Sequence, residues 1–314
     1  MKASYITRYG KSSPLIHGDV PDPVMKDNEL LVEIRAVSVN PVDYKIRSGI
    51  IRIITGFRFP MILGTDYAGI VKDTGKETAG FKQGDRVYGS SSVIFGNSGK
   101  LAGLLATPVK YARHIPDGMS FEEAASLPVA ALTGLNGLRK GGIDSGKSVF
   151  INGASGGVGH FAVQIAKARG AHVTASCSPS NHSFVKSLGA DEVCGYTDND
   201  YAAIKWKFDS IADAYGAMKY KHIIPLLKKK GVYTSTLFFP PRSVTAPVIG
   251  MISNIKLTSA NMRSQPGDYL ELENLFRDGK LKPFIGKTFP LEMANEAFAY
   301  AENGKPRGKV VITV

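Results

Sequence analysis

Gly153, Ala154, Ser155, Gly156, Gly157, Val158 and Gly159 are the stretch whose residue types and spacing point most directly to chemistry. Without bulky side chains the backbone N–H groups can approach an anion, and the helix expected from His160 onward aims its positive dipole end at the same place. Ala154, Gly156 and Gly159 stand at the three small positions of a dinucleotide fingerprint, with alanine replacing the first glycine. The N–H groups of Gly157 and Val158 are the expected pyrophosphate donors. A site that prefers NADH carries an acid about twenty residues further on, against the ribose hydroxyls. Here that place reads Ala175, Ser176, Cys177, Ser178. No carboxylate repels a 2′-phosphate, and Ser176, Ser178, Asn181 and His182 offer donors, so NADPH is expected over NADH. Against this, serines after a strand are common turn residues, and no Arg or Lys stands in the expected pocket.

Such a turn works only between a strand and a helix. Ser148 to Ile151 reads as a buried strand and Val158 to Arg169 as a helix. His172 to Ser176, Glu192 to Cys194, Phe208 to Asp213 and Gly231 to Ser235 continue as strands, with a helix at Asn181 to Leu188. The alternation predicts an α/β fold with a parallel sheet covered by helices. Upstream the grammar differs. Lys2 to Thr7, Leu30 to Val39, Thr65 to Val71 and Arg86 to Gly89 read as short strands between glycines and prolines, with a short helix at Val42 to Ser48 and a loop from Ser90 to Pro108. Ser120 caps a helix, and further helices are expected at Ala130 to Arg139, Tyr269 to Arg277 and Glu292 to Asn303, before a last strand at Lys309 to Val314.

The composition bounds the rest. A chain of 314 residues with 43% hydrophobic and 21% charged residues is globular, with about two domains. No apolar run approaches the roughly 20 residues of a membrane helix, and the N-terminus reads as a strand, so a cytoplasmic place is expected. Cys177 and Cys194 form no disulfide framework, and the six histidines show no metal spacing. The net charge of +12 comes from scattered residues. Its one run, Lys228 to Lys230 before Gly231, reads as a helix C-terminus, and nucleic acid is not expected as a partner. The apolar and basic stretch Ile50 to Phe59 is expected to be loop packing, with a substrate cleft or a membrane surface as alternatives.

Together with the glycine turn, Asn40-Pro41-Val42-Asp43, Gly64-Thr65-Asp66, Gly84-Asp85-Arg86-Val87 and Leu127 to Thr133 resemble the medium-chain dehydrogenase/reductase superfamily. The similarity is greatest to its zinc-free quinone oxidoreductase and alkenal reductase branch. This resemblance implies a GroES-like β-barrel domain over 1–118 with a C-terminal return at 287–314, and a Rossmann NADPH-binding domain over 119–286. Zinc-dependent relatives carry Cys where this chain has Asn40 and Gly-His-Glu where it has Gly64-Thr65-Asp66. Residues 89–110 also lack the four cysteines of the structural lobe. No metal is expected, which leaves hydride transfer to an already electrophilic quinone or α,β-unsaturated carbonyl.

By the same resemblance, Asn40 and Thr133 contact the nicotinamide end, Leu237 and Phe238 pass beside the ring, Tyr196 lies near the adenosine phosphate and Lys309 closes on the cofactor. Tyr44 and Lys45 are the candidates for supplying a proton or stabilising charge on the acceptor; some members have tyrosine at the position of Lys45. The alternative is a cofactor-binding protein whose work is association with RNA or another partner, and a zinc alcohol dehydrogenase ranks third. A homodimer through an edge strand at Ile255 to Ser259 is also expected.

Overall fold

Leu30, Val32 and Ile34 are buried while Glu29, Leu31 and Glu33 are half covered, a period of two that makes one face of a strand the core face. The computed structural model describes residues 1–91, 99–237, 242–262, 265, 267–304 and 306–314. Two units result, Met1–Val129 with Ile285–Val314, and Ala130–Phe284.

The first unit begins with β1 (Lys2–Ile6), β2 (Ile16–Asp19), β3 (Glu29–Val39), α1 (Pro41–Ser48), α2 (Arg52–Thr55) and β4 (Met61–Ile62). It continues through β5 (Asp66–Thr74), β6 (Arg86–Ser90), β7 (Leu104–Pro108), β8 (Arg113–His114) and α3 (Phe121–Ser126). The strand β7 corrects the loop expected at Ser90 to Pro108: Leu105 and Thr107 are buried, and Leu105 pairs with Val32 of β3. Residues 92–98 of that stretch lie outside the described ones. The expected boundary at 118 also falls later, at Val129. Arg86 ties α3 to this unit: its guanidinium lies 4.6 Å over the Phe121 ring and donates to Met119 O at 2.7 Å.

In the second unit come α4 (Pro128–Lys140), β9 (Ser148–Asn152), α5 (Gly157–Ala168), β10 (His172–Ser176), α6 (His182–Ser187), β11 (Glu192–Cys194) and α7 (Asp198–Ala203). Then follow β12 (Phe208–Asp213), α8 (Tyr220–Leu226), β13 (Leu227–Ser235), α9 (Arg242–Ser253), β14 (Lys256–Ser259) and α10 (Asp268–Arg277). The strands make a parallel sheet in the order β11-β10-β9-β12-β13-β14, which reverses direction of growth at β9 and β12. This is the Rossmann order, and ligands bind outside the carboxyl ends of strands at such a switch point. The chain closes in the first unit with β15 (Ile285–Pro290), α11 (Ala294–Asn303) and β16 (Lys309–Thr313), β16 pairing antiparallel with β3. Among the described residues no helix is long and apolar enough to cross a membrane.

The lysine run is not a helix end. The helix stops at Leu226, and Lys228 to Lys230 lie in β13, where Lys228 Nζ reaches Asp209 at 2.9 Å. Burial would raise the Asp209 carboxyl, but Lys228 and the Ser148 backbone N–H and hydroxyl outweigh it and hold it at about 2. Asp209 therefore stabilises the fold above its unfolded value near 4, and this contribution disappears as the pH falls through about 2. Asp209→Asn is expected to cost about 1 kcal/mol at neutral pH, and the difference from wild type should vanish in acid denaturation curves across that window.

Candidate functional site

β9 delivers the chain to Gly153, which takes φ +76°, and Ala154 N–H then donates to Ser176 O at 2.9 Å, tying the turn to β10. Gly156 caps α5 in extended backbone with no side chain on the exposed helix end. A Cβ on Gly156 would meet nothing nearer than Gly153 O at 3.5 Å, whereas one on Gly159 would lie 2.2 Å from Gly153 O and 2.7 Å from Ala154 Cα. The third small residue thus lets helix and turn touch, and the second leaves open space before the first helical N–H groups, those of Gly157 and Val158. That cradle fits the pyrophosphate of a dinucleotide. His160 stays structural: it is buried, with Nδ1 at 3.0 Å from Gly156 O and Nε2 accepting from Phe284 N–H at 3.3 Å.

Beside the turn, Asn181 Nδ2 donates to Ser155 Oγ at 3.2 Å and to Ser178 Oγ at 3.0 Å. Three of the expected residues are thereby brought together, half buried, at the carboxyl end of β10. Ser176 is not with them. It is fully buried, its hydroxyl donating to Asn152 Oδ1 at 2.7 Å, because β10 is covered on both faces and pairs Ser176 with Asn152, whereas 178 lies beyond the strand end. Tyr196 is exposed past the end of β11.

A network that sequence reasoning missed lies beneath this edge. Asn152 Nδ2 donates to Asp213 Oδ1 at 2.7 Å and Oδ1 accepts from Tyr201 OH at 2.9 Å; Asp213 also accepts from Tyr233 OH and from the N–H groups of Gly216 and Met218. Asp213 thereby folds the loop after β12 against the glycine turn, where Tyr215 faces Gly153. Thr133, Val158, Asp213, Thr234 and Thr236 line a crevice there. Leu237 abuts Gly216; Phe238 lies outside the described residues. Asn152 and Asp213 at the ends of neighbouring strands were the available signal.

In the first unit the residues at the zinc-ligand positions are buried together. Asn40 Nδ2 donates to Asp66 Oδ2 at 2.8 Å and Thr65 Oγ1 at 3.2 Å, while Lys309 Nζ donates to Asn40 Oδ1 at 2.6 Å and Val39 O at 3.2 Å. Asp66 Oδ2 also accepts from Ser38 Oγ and Val129 N–H. Asp43 Oδ2 accepts Asn40 N–H at the start of α1. Lys100, which nothing in its glycine-rich surroundings singled out, is fully buried and donates to Ser91 O at 2.6 Å. Burial pushes the Asp43 carboxyl up to about 7, Asp66 upward, the Lys100 ammonium down to about 7 and Lys309 downward, each opposed by charges of the other sign in the cluster.

Asn40 and Lys309, both expected to contact the cofactor, have their side chains hydrogen-bonded inside this cluster. Tyr44 packs on the hydrophobic core of the first unit, and Lys45 is half buried, with its pKa lowered by desolvation.

Residues 26–125 match the alcohol dehydrogenase GroES-like domain family, and residues 188–312 the zinc-binding dehydrogenase family. The chain is 36% identical to a chloroplast envelope quinone oxidoreductase homolog of Arabidopsis thaliana, over 96% of this chain and 95% of the relative. A 2-methylene-furan-3-one reductase of Solanum lycopersicum is 34% identical over 99% of this chain and 79% of its own. The solved quinone oxidoreductase from Coxiella burnetii superposes with a TM-score of 0.88 at 29% identity, covering 100% of this chain and 99% of that one.

Proposed function

Since this chain belongs to the quinone oxidoreductase branch of the medium-chain dehydrogenase/reductase superfamily and is an NAD(P)H-dependent oxidoreductase, we propose that it reduces a quinone or an α,β-unsaturated carbonyl with NADPH and without zinc. One observation carries this reading. The zinc-ligand positions hold an amide, a hydroxyl and a carboxylate, with the Lys309 ammonium 2.6 Å from Asn40 Oδ1. Zinc takes Cys, His and carboxylate ligands, and one carboxylate with an amide and a hydroxyl beside a buried ammonium does not supply such a set. Among the described residues no cluster of three or more His, Cys, Asp or Glu could hold one.

When bound, the nicotinamide supplies the hydride. The chain's own residues bind and orient: Gly157 and Val158 N–H take the pyrophosphate, and Ser155, Ser178 and Asn181 take the 2′-phosphate. Thr133 borders the nicotinamide end. Lys45, a stronger acid than an ordinary lysine because it is half buried, supplies the proton that balances the hydride on the acceptor. A panel of quinones and enals with NADPH or NADH, with and without a chelator, tests this; no cofactor oxidation with any acceptor, or loss of turnover on chelation, would overturn it. Ser178→Asp sets a carboxylate against the 2′-phosphate and is expected to raise the KM for NADPH more than tenfold, at least about 1.4 kcal/mol, with kcat and the NADH reaction little changed. A homodimer is part of the same reading. The outer edge of β14 and the exposed Val248, Met251 and Ile252 of α9 support it, and a single-chain mass in sedimentation would remove it.

A further inference from the structure

The segment between α1 and β4 exposes what a folded chain usually covers. Ile50, Ile53, Ile54 and Phe57 are 75%, 90%, 52% and 67% exposed. They stand out from a braced support. Ile51 and Phe59 pack on the core of the first unit, Tyr9 sets its ring edge-on to Phe57 and Phe59 at 6.1 and 5.1 Å, and its hydroxyl meets Gly56 O and Thr55 Oγ1. The four apolar side chains are thus held outward by the structure beneath them.

Along this segment the charge has one sign. From Tyr44 to Thr65 the chain contains no Asp or Glu, and Arg52 and Arg58 alternate with the exposed apolar residues. Arg8 and Lys11 flank the bracing Tyr9 and are exposed as well. None of these four cations forms a salt bridge among the described residues, whereas Arg47, nearer the core, is paired with Glu302 at 2.6 Å. Thr55, the one neutral polar side chain from 50 to 59, is spent on Tyr9 and Ile51. A protein partner presents donors as well as acceptors, and no side-chain acceptor from 50 to 59 is left to meet them. Apolar side chains projecting between unpaired cations, whose N–H groups lipid phosphates can accept from, match a lipid interface carrying negative charge.

We propose that Ile50, Ile53, Ile54 and Phe57, framed by Arg8, Lys11, Arg52 and Arg58, dock the protein on anionic membrane surfaces. The apolar side chains enter the acyl boundary and the cations meet lipid phosphates, a reversible attachment with no spanning segment.

Flotation of the full chain with phosphatidylcholine vesicles, with and without phosphatidylglycerol, tests this. Wild type is expected to float with the anionic vesicles and not with the neutral ones, and added salt should weaken the association. Arg52→Gln with Arg58→Gln should lower partitioning roughly 25-fold, at about fivefold per charge. Ile53→Ser with Phe57→Ser should abolish it, while loss of the Phe57–Tyr9 edge contact lowers the thermal transition by no more than a few degrees. Trp206 is the only tryptophan, so Phe57→Trp in a Trp206→Phe background adds a readout that needs no destabilising change: its emission should shift to the blue on anionic vesicles. Wild type left unfloated, variants that float equally, or an unshifted emission would overturn the proposal. So would an apparent mass that halves in the Ile53→Ser, Phe57→Ser protein without vesicles, since a second copy would then be the occupant, or competition of RNA for the patch with no vesicle binding.

Discussion

Gly156→Val is expected to weaken NADPH binding roughly a hundredfold, about 2.7 kcal/mol, while the thermal transition of the unliganded protein stays nearly in place. Valine at 156 has room, because its Cβ meets nothing closer than 3.5 Å and the backbone there is extended, at φ −83° and ψ −178°. The loss at the helix cap is about 1 kcal/mol or less. What the new side chain occupies is the space before the N–H groups of Gly157 and Val158, so the cost falls on the anion. Gly159→Ala should behave oppositely. Its methyl group meets backbone, Gly153 O at 2.2 Å, which cannot swing away as a side chain could. Overpacking of this kind costs about 3 kcal/mol, which for units of this size lowers the transition by roughly 6–12 °C. Calorimetric titration with NADPH beside thermal melts of the unliganded proteins separates the two effects. A Gly156→Val protein that binds NADPH like wild type would remove the glycine turn from the cofactor site.

Lys309→Met is expected to destabilise the unliganded protein by about 4 kcal/mol, because it leaves Asn40 Oδ1 without its donor and takes a cation from the buried Asp66 carboxylate. Asp66→Asn should cost a similar amount, and the double variant much less than the sum of the two, since an opposite pair is then removed together. Denaturant unfolding without cofactor measures all three. The pH dependence has a definite sign. Burial raises the folded pKa of Asp43 to about 7, so its contribution is full below its unfolded value near 4 and is lost as the pH rises through 7. With Lys309 gone, both carboxyls hold their protons more tightly still, and the Lys309→Met penalty should be smaller at pH 6 than at pH 8. Unchanged stability with a fall in NADPH affinity would instead make Lys309 a cofactor contact.

The dinucleotide turn is legible in the amino-acid sequence alone because its chemistry is local. Small residues from 153 to 159, a buried strand before them and an amphipathic helix after them are all set within about twenty consecutive residues, and the binding proposed there asks only for backbone geometry. The absence of Cys and His from the zinc-ligand positions is equally plain, since residue type alone decides what can ligate a metal. Tertiary structure decided the remainder. Lys309 reaches Asn40 only because β16 returns across 269 residues of chain to pair with β3. Lys100 is buried by partners distant in sequence, its N–H donating to Leu63 O at 2.8 Å and its ammonium facing Asp43 and Asp66, and no periodicity marks a lone lysine among glycines and serines. Ser176 and Ser178 look alike in sequence, yet one faces the interior beside Asn152 and the other lies past the strand's end with Asn181, a difference set by strand register. The lysines from 228 to 230 fall in β13 at the register shift between its pairs with Phe208 and Ser210, where Lys230 takes φ +63° and Lys228 meets Asp209, partners that the local sequence does not announce. Pairing across long sequence distances gives these side chains their neighbours, and those neighbours determine whether a charged group is solvated, neutralised or free to meet a ligand.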